Sequence, residues 1–411
     1  MSHPDQPVSA LVRASVDHCV KCTICETACP VAAVTPLFPG PKTAGPQSER
    51  FRVPGMTPDS SIDYCSSCGI CTLVCPHEVK IAEMNSQARA VMKTQHGIPL
   101  RDHLIARTGL AGRVGTPLAP LANTLLANPT VRAGLERVIG IHRRAPLPSF
   151  AGRTFRAWAR RHASPRTDKR VAYFHGCSTN YYEPGLGERT VAVLEYNGYT
   201  VDVPPGQGCC GLPLQSNGIY DAGRGYVRKL AARLAPAARA GVPIVATSTS
   251  CGLMLKREAH EIMGVQDDNL ALVRNHLFDI CEFLLDAHRR GELRTDMQPV
   301  PMTVTYHAPC QQRGHGIGKP ALDLLALVPG LTVIELDRDC CGIAGTYGLK
   351  REKYDVAMAV GAPLFDDIRS AAPDLAVCDS ETCRWQISAA TGATSVHPID
   401  VLYRAYGLGV Q

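Results

Sequence analysis

Residues 65–76 read Cys65-Ser-Ser-Cys68-Gly-Ile-Cys71-Thr-Leu-Val-Cys75-Pro76, and an earlier stretch has the same spacing, Cys19-Val-Lys-Cys22-Thr-Ile-Cys25-Glu-Thr-Ala-Cys29-Pro30. Three cysteines at intervals of three residues, followed by a fourth and a proline, are typical of bacterial iron–sulfur motifs. Zinc sites favour paired Cys-x-x-Cys knuckles rather than a run of four that closes on proline. The two stretches therefore predict two [4Fe-4S] clusters and the transfer of single electrons.

The fourth cysteine of each motif is expected to serve the other cluster. In two-cluster ferredoxins this cysteine begins a helix and points at the neighbouring cluster. The rule assigns to one cluster Cys19, Cys22, Cys25 and Cys75. It assigns to the other Cys65, Cys68, Cys71 and Cys29.

The composition favours metal binding in a reducing compartment. The chain has 411 residues and 18 cysteines, and its first residues contain no apolar segment of the kind found in signal peptides. Without an oxidising compartment, so many cysteines are best explained as metal ligands. The longest uncharged stretch, Val114–Val131, contains three prolines, so we expect no transmembrane helix.

Residues 98–169 form a basic connector. From Arg101 to Arg170 there are fourteen Lys or Arg and three acids, a net charge of +11. Leu100–Thr108 and Val131–His142 are predicted short helices, with Pro, Gly and Asn breaks between them. Three interpretations stay open: a solvated linker, a surface that lies on an anionic membrane, or a docking surface for an acidic partner. No nucleic-acid-binding motif accompanies the charge, so nucleic acid is not an expected partner.

From residue 170 onward the chain contains two copies of one module. Each copy alternates predicted strands and helices, with cysteines at strand ends and a central Cys-Cys-Gly. Corresponding cysteines are separated by 133, 131 and 132 residues, in the pairs Cys177 and Cys310, Cys209 and Cys340, and Cys251 and Cys383. Alternating strands and helices predict parallel sheets whose terminal loops build sites.

The predicted fold class is α+β multidomain: a helical ferredoxin-like double-cluster domain followed by two tandem α/β Cys-Cys-Gly modules with parallel sheets. The predicted boundaries are 1–97 for the ferredoxin-like domain, 98–169 for the connector, 170–290 for the first module and 300–411 for the second. Residues 1 to about 15 are expected to be a loose tail. The stretch Leu37–Pro46 is too rich in Pro and Gly for regular structure.

Each module offers thiols to a metal. They are Cys177, Cys209, Cys210 and Cys251 in the first module, and Cys310, Cys340, Cys341 and Cys383 in the second, where Cys378 is a further candidate. Two adjacent thiols suit neighbouring irons better than one disulfide, so further iron–sulfur clusters are the expectation. The alternative is a degenerate copy with free thiols.

Several other features carry weaker signals. The segment Gly206–Gly211 fits the dinucleotide pattern Gly-x-Gly-x-x-Gly, but the second module keeps only Cys-Cys-Gly there, so no nucleotide site is expected. His175 and His307 precede the first cysteine of each module, and either could hydrogen-bond near a cluster or cap a strand end. Cys281 fits the apolar face of a helix and is predicted to lie in the core.

Five further stretches carry a resemblance to known proteins. They are Pro39-Gly-Pro-Lys-Thr-Ala-Gly-Pro46, Phe174-His-Gly-Cys177, Cys340-Cys-Gly-Ile-Ala-Gly-Thr-Tyr-Gly348, Gly361-Ala-Pro-Leu-Phe365 and Glu381-Thr-Cys383-Arg-Trp-Gln-Ile387. With the two cluster motifs, they resemble the iron–sulfur subunits of glycolate oxidase, lactate utilisation complexes and heterodisulfide reductase. They also resemble the iron–sulfur subunits of anaerobic glycerol-3-phosphate dehydrogenases, and the Thr-Tyr-Gly and Arg-Trp-Gln-Ile stretches make this resemblance the more specific one.

The resemblance implies a non-catalytic electron-transfer subunit. In that family, flavin-containing subunits oxidise sn-glycerol 3-phosphate, and the iron–sulfur subunit passes the electrons to membrane menaquinone or ubiquinone in anaerobic respiration. It also implies peripheral attachment to the cytoplasmic face of the inner membrane.

Three alternative functions remain. They are a component of a glycolate- or lactate-oxidising complex, a thiol–disulfide reductase like heterodisulfide reductase, and a docking protein with vestigial modules. The fuller Cys-Cys-Gly pattern closes with Cys-x-x-Cys, but Ser248 and Ser380 replace its first cysteine here, which argues against the noncubane cluster of heterodisulfide reductase.

Overall fold

The computed structural model describes residues 10–53, 56–57 and 59–409. The helices before the modules are α1 (Ala10–Ala14), α2 (Ile24–Thr27), α3 (Ile70–Leu73), α4 (Ile81–His96), α5 (Leu100–Ile105), α6 (Thr108–Gly115), α7 (Ala119–Ala127), α8 (Pro129–Val138) and α9 (Phe155–Ala159). Short 3₁₀ or π turns lie at Ser15–His18, Thr43–Gln47, Ser61–Tyr64 and Thr116–Leu118.

The first module consists of β1 (Arg170–Phe174), α10 (Gly176–Tyr181), α11 (Pro184–Tyr196), β2 (Thr200–Asp202), α12 (Leu212–Ser216), α13 (Tyr220–Arg239), β3 (Ile244–Ala246), α14 (Thr249–Leu253), a π turn (Met254–Glu258), α15 (Ala259–Glu261), α16 (Asp268–His276), β4 (Leu277–Asp279) and α17 (Ile280–Arg289). The second consists of β5 (Thr303–His307), α18 (Cys310–His315), α19 (Pro320–Leu325), β6 (Thr332–Glu335), a 3₁₀ turn (Tyr347–Leu349), α20 (Tyr354–Ala371), β7 (Leu375–Cys378), α21 (Glu381–Thr391), β8 (Ser395–Val396) and α22 (Pro398–Ala405).

Each module is built on a parallel four-stranded sheet, in the orders β2-β1-β3-β4 and β6-β5-β7-β8. This confirms the predicted fold class. Cys177, predicted to lie at a strand end, lies instead on α10, because β1 ends at Phe174. The outer strands β4 and β8 were missed because they have three and two residues, too few for a periodic pattern. Cys281 lies on a helix as predicted, and this helix, α17, begins at Ile280 directly after β4.

The two modules share one hydrophobic core. Tyr173 and Leu194 of the first module belong to the same buried cluster as Val304, Tyr306 and Leu402 of the second. Helices α11 and α22 pack together across this boundary, as do α17 and α19. The cysteine-bearing ends of the two sheets are therefore held in a fixed relation.

The prediction of a loose tail is wrong where the structure describes it. Residues 1–9 lie outside the described residues, but α1 and the following turn bury Val12 and Val16 against Met84 of α4. The stretch Leu37–Pro46 was also predicted to lack regular structure, yet a kinked helical turn begins at Thr43. Packing of this turn against α4 outweighs the weak local propensity.

The connector is more helical than predicted. The region expected to contain only breaks holds α6 and α7. Pro117, Pro120 and Pro129 stand where helical segments begin, and a missing backbone N–H does no harm there. Asn128 caps α8 by accepting a hydrogen bond from the Thr130 N–H at 2.9 Å. Among the described residues, no helix is long and apolar enough to cross a bilayer.

A buried carboxylate ties the connector to the domains on either side. Asp102 on α5 is fully buried and accepts from Lys93 of α4 at 3.3 Å and from Lys350 of the second module at 2.9 Å. Arg101 adds a third contact at 3.1 Å. These cations lower the pKa of the Asp102 carboxyl in spite of its burial.

The glycine of each Cys-Cys-Gly turn is required by backbone geometry. Gly211 and Gly342 have φ of +89° and +84°, the left-handed region. A Cβ on Gly342 would lie 1.8 Å from the Ala357 carbonyl oxygen of α20, and one on Gly211 would lie 3.0 Å from the Gly223 carbonyl oxygen of α13. The turns therefore press directly on a helix backbone.

Replacing Gly342 by Ala is expected to destabilise the protein more than a left-handed conformation alone would. The matched control is Gly392→Ala, at φ +78° with nothing within 4 Å of the added Cβ. Both variants incur about 1–2 kcal/mol of backbone strain, but only Gly342→Ala adds a clash, worth at least about 2 kcal/mol more. Equal free energies of unfolding in urea would contradict this account of the turn.

Replacing Asp102 by Asn is expected to lower the free energy of unfolding by about 3 kcal/mol at pH 7, because Lys350 loses its buried counter-charge. The folded pKa of Asp102 is depressed, so its contribution is present above the unfolded carboxyl value of about 4 and is lost as the pH falls through the folded value. The difference from wild type should therefore shrink on acidification.

The control for this prediction is Asp366→Asn, which disrupts an exposed ion pair with Arg369. It should change the free energy of unfolding by no more than about 0.5 kcal/mol. A difference between wild type and Asp102→Asn that grows as the pH falls would contradict the assignment.

Candidate metal centres

The structure gathers the cysteines of the first motif around Cys25. Burial raises the pKa of the Cys25 thiol to about 11, and Glu26 and the thiols of Cys19, Cys75 and Cys22 contribute to the rise. Cys75 comes from the second motif, so one group combines cysteines from both. Cys22 is exposed, so this group lies near the protein surface.

A second group lies deeper in the same domain. Burial raises the pKa of Cys71, and the thiols of Cys68, Cys65 and Cys29 raise it further. Cys29, from the first motif, packs beside Cys65 in one buried cluster and accepts a hydrogen bond from the Ala32 N–H at 3.4 Å. Thiols of both motifs thus lie together in each group, and the crossed assignment of four ligands to each cluster stays a prediction.

In the first module the four candidate thiols form a continuous buried chain. Cys209, on the Cys-Cys-Gly turn, contacts Cys177 and Cys210, and Cys210 contacts Cys251. The connector reaches this site, because the Thr108 hydroxyl lies 3.3 Å from the Cys177 sulfur and 4.0 Å from the Cys209 sulfur.

The second module repeats the arrangement and adds a fifth thiol. Cys340 contacts Cys310 and Cys341, and the Cys341 and Cys383 sulfurs are 3.0 Å apart, well beyond a disulfide bond. Cys378, at the end of β7, contacts Cys383. The first module has no equivalent of Cys378, since Ala246 ends the corresponding strand.

The Cys-Cys-Gly turns favour one thiolate in each module. The Gly211 N–H donates to the Cys209 sulfur at 3.4 Å, and the Gly342 N–H donates to the Cys340 sulfur at 3.3 Å. Hydrogen bonds from the neighbouring thiols are the main cause that lowers the pKa of Cys209 and Cys340 well below the usual value, and these two N–H groups add to it. A thiolate is the form that binds metal.

The donor chemistry at these sites fits iron–sulfur clusters. All eighteen cysteines are free, and the candidate ligands of the modules are buried in groups of four and five. Soft thiolates without a carboxylate among them suit iron–sulfur clusters or zinc better than a hard cation. The Cys-x-x-Cys-x-x-Cys spacing in the ferredoxin-like domain selects iron–sulfur clusters there.

The two serines that replace an expected cysteine have structural roles. The Ser248 hydroxyl accepts from the Cys251 N–H at 3.3 Å and donates to Glu381 of the second module at 3.1 Å. Ser178 also donates to Glu381, at 2.9 Å. Ser380 precedes α21, and its hydroxyl lies 3.4 Å from that of Thr382. Ser248 thus caps a helix and, with Glu381, bridges the modules.

The two histidines have different surroundings. His175 is buried with Nδ1 2.6 Å from the Gly176 carbonyl oxygen, and burial lowers its pKa to about 4. His307 is buried near Cys383 and Cys340, and neither of its ring nitrogens has a hydrogen-bond partner among the described residues. The position of His307 favours a hydrogen bond near a cluster, one of the two interpretations left open by the sequence.

Sequence reasoning missed a buried carboxyl pair between the modules. Asp279 and Asp379 lie within 4.8 Å of one another and of Cys281, and Tyr306 donates to Asp379 at 2.8 Å. Burial raises the pKa of Asp279 to about 7 and of Asp379 to about 6. An acid directly after the apolar strand β7 was the available signal. Cys281 lies in the shared core, where it was predicted.

One cavity connects three of the four thiol groups, all except the one around Cys25. It has a volume of about 380 Å³ and reaches Cys68 of the ferredoxin-like domain, Cys177 and Cys209 of the first module, and Cys310 and Cys340 of the second. The connector covers it. No sequence signal could have revealed this cavity, because its walls come from four distant segments.

Comparison with known proteins agrees with this architecture. Residues 15–79 match the 4Fe-4S dicluster domain family, and residues 171–256 and 304–388 match the Cysteine-rich domain family. The chain is 40% identical over 395 residues to the anaerobic glycerol-3-phosphate dehydrogenase subunit designated C in Escherichia coli (strain K12), covering 95% of this chain and 98% of that relative. The chain belongs to this dehydrogenase-subunit family. It is therefore an iron–sulfur electron-transfer protein.

Two other relatives are similar to little more than half of this chain. One of the subunits of fumarate reductase (CoM/CoB) from Methanothermobacter marburgensis is 33% identical over 53% of this chain and 41% of its own length. Lactate utilization protein A of Exiguobacterium sp. is 28% identical over 57% of this chain and 95% of its own length. Both similarities are partial, whereas the similarity to the glycerol-3-phosphate dehydrogenase subunit spans nearly the whole chain.

Replacing Cys340 by Ser is expected to lower the iron content of the anaerobically purified protein, because Cys340 is, with Cys383, one of the two thiols of the second module whose pKa is lowered. Cys281→Ala is the control: this thiol is equally buried but lies outside the groups, so iron per chain should stay at the wild-type value. Colorimetric iron and sulfide analysis measures both. Full iron content in Cys340→Ser would exclude this thiol as a ligand.

Proposed function

We propose that the chain is the non-catalytic iron–sulfur subunit of an sn-glycerol-3-phosphate dehydrogenase complex that delivers electrons to membrane quinone in anaerobic respiration. The observation that carries the proposal is the whole-chain similarity to the anaerobic glycerol-3-phosphate dehydrogenase subunit, together with three thiol groups that meet at one cavity. A bound iron–sulfur cluster supplies one-electron chemistry at each group.

The proposed ligands follow the spatial groups. One [4Fe-4S] cluster is held by Cys19, Cys22, Cys25 and Cys75, and the other by Cys65, Cys68, Cys71 and Cys29. Further clusters are held by the thiols of the modules, with Cys378 as an additional ligand in the second. The Gly211 and Gly342 N–H groups orient the first sulfur of each Cys-Cys pair.

Electrons enter at the exposed end of the ferredoxin-like domain. Cys22 is exposed, and apolar side chains stand out around the first group, among them Val20 at 61% exposure and Leu73 at 45%. An exposed apolar surface of this kind is typical of a protein interface. It suits a flavin-containing dehydrogenase subunit, whose surface would bring its reduced flavin close to Cys22.

From the second group the path leads to the second module. Cys68 lies close enough to this module for Cys340 to raise the pKa of Cys68, and for Cys68 to raise that of Cys310. Lys353 of the second module strengthens this junction by pairing with Asp63 at 2.6 Å, two residues before Cys65. The second module is therefore the nearer acceptor, and the cavity is the end of the path.

The connector supports the membrane interpretation over a solvated linker. Helices α5 to α7 and the turn between them expose a row of apolar side chains, each between 46% and 73% exposed: Leu100, Leu104, Leu110, Val114, Leu118, Leu121 and Leu125. Arg107 and Arg113 lie on the same helical stretch. An apolar surface with adjacent cations is suited to an anionic bilayer, so we place the chain peripherally on the cytoplasmic face of the inner membrane.

A role in a lactate- or glycolate-oxidising complex is the second candidate. It is favoured by the similarity to lactate utilization protein A, which extends over 95% of that protein. A disulfide reductase is less well supported, because Ser248 and Ser380 occupy the positions of the expected extra thiols.

The substrate assignment predicts reduction of the clusters by sn-glycerol 3-phosphate. The chain, purified anaerobically from membranes with its partner subunits, should develop reduced-cluster EPR signals on addition of this substrate and lose them on addition of a menaquinone analogue. Clusters that are reduced only by lactate or glycolate would contradict the substrate assignment and support the second candidate function.

The membrane assignment predicts that Leu110→Asp with Val114→Asp weakens binding to vesicles of anionic phospholipid. Each apolar side chain contributes about 1.5 kcal/mol or more when buried, so the vesicle partition coefficient should fall at least about tenfold. Phe51→Asp is the control, since this residue is 80% exposed on the ferredoxin-like domain. Equal partitioning of both variants would contradict the proposed contact between the connector and the membrane.

A further inference from the structure

The cavity under the connector has an end that contains no thiol. This end is lined by Leu104 and Ile105 of α5, Leu126 of α7 and Leu135 of α8, with Ile141 and Leu147 beyond them. Clusters bound by the cysteines would occupy the opposite end. The aliphatic end therefore offers space to an apolar ligand and not to metal.

Aromatic side chains form one wall of the same cavity. The ring centroids of Phe150 and Tyr182 are 5.5 Å apart, and those of Tyr182 and Trp385 are 5.9 Å apart. The Tyr182 hydroxyl donates to the Thr108 carbonyl oxygen at 3.1 Å, and Trp385 Nε1 donates to Glu183 at 2.7 Å. These hydrogen bonds fix the rings, so the wall is suited to a flat conjugated ligand.

The cavity meets the apolar row of the connector at Leu104. Leu104 lines the cavity and is also 49% exposed, and Leu100, four residues earlier on α5, is 73% exposed. A ligand that entered here would come from the bilayer on which the row rests. Its apolar tail would remain among the leucines while its ring reached the aromatic wall.

We propose that this cavity is the quinone site, with the ring of a lipid-soluble quinone held against Tyr182 and Trp385 and its tail leaving past Leu104. The inference rests on the proposed function and locates its last step. Reduction to the quinol takes two electrons, delivered singly from the reduced iron–sulfur clusters, and two protons from water. Thr108 links the site to the thiols, because its hydroxyl contacts the Cys177 sulfur and its carbonyl oxygen holds Tyr182.

The lining also argues against a charged, water-soluble substrate. The connector side is aliphatic, and among the described residues that line the cavity there is no Lys or Arg to bind an anionic substrate. A small disulfide carrying carboxylates or phosphate would therefore have no counter-charge. A neutral ring with a hydrocarbon tail matches the lining.

The test measures binding, not turnover. The holo complex in detergent is titrated with 2-heptyl-4-hydroxyquinoline N-oxide, a fluorescent quinone analogue, and the fluorescence lost on binding is recorded. Ile105→Trp and Leu126→Trp fill the aliphatic end and should each weaken binding by about tenfold or more, since one lost apolar contact of about 1.4 kcal/mol has that effect. Val138→Trp is the control, because this α8 residue is 84% exposed and does not line the cavity.

A second measurement uses the unaltered protein, so that a misfolded variant cannot decide the question. An azido-quinone is photolysed with the wild-type complex, and the labelled peptides are identified by mass spectrometry. Label in α5–α8 or in the segments around Phe150, Tyr182 and Trp385 supports the site. Label confined to other segments, or equal binding of the analogue by all three Trp variants, overturns it.

The outcome is separable from that of the proposed function. If sn-glycerol 3-phosphate reduces the clusters and membrane quinone reoxidises them, but the analogue binds and labels elsewhere, only the location is wrong. If the clusters are not reduced by sn-glycerol 3-phosphate while the analogue binds in the cavity, the substrate assignment is wrong and the quinone site is still supported.

Discussion

The burial of thiols in groups is the constraint on which this structure depends. Burial raises the pKa of Cys25, Cys29 and Cys71, so these sulfurs are neutral unless positive charge lies beside them. Iron supplies that charge, and metal binding then contributes directly to the stability of the fold. The same requirement explains the Cys-Cys-Gly turns, where a glycine pressed on a helix backbone directs its N–H to a sulfur.

The connector turns these separate groups into one site. Its charge suggested three roles from sequence, and the contacts show why it has to be ordered. Asp102 joins α5 to Lys93 of the ferredoxin-like domain and to Lys350 of the second module, and Thr108 reaches the thiols of the first. The connector therefore covers a cavity that is lined by thiols of the ferredoxin-like domain and of both modules. Its outer side carries the exposed leucines, so the surface proposed for lipid and the cavity proposed for quinone are two sides of the same helices.

The sequence was most informative where chemistry fixes spacing. Cysteine intervals predicted the cluster motifs and the repeated module, and strand–helix alternation predicted the parallel sheets. It was least informative where stability is tertiary. Strands β4 and β8 are too short to show a pattern, and α6 and α7 were hidden because Pro117 and Pro120 read as breaks although they stand at helix starts. The Asp279–Asp379 pair and the cavity arise from segments far apart in the chain, so no local pattern could reveal them.

In the proposed function, the ferredoxin-like domain passes electrons to the second module at the junction of Cys68 with Cys340 and Cys310. Magnetic coupling measures this directly. The anaerobic protein is reduced stepwise, and EPR power saturation of the ferredoxin-type signals is recorded as the second-module cluster becomes paramagnetic. The account predicts faster relaxation and line broadening in wild type, and their loss in Cys340→Ser. Ferredoxin-type signals that stay independent of the second module throughout the titration would contradict it.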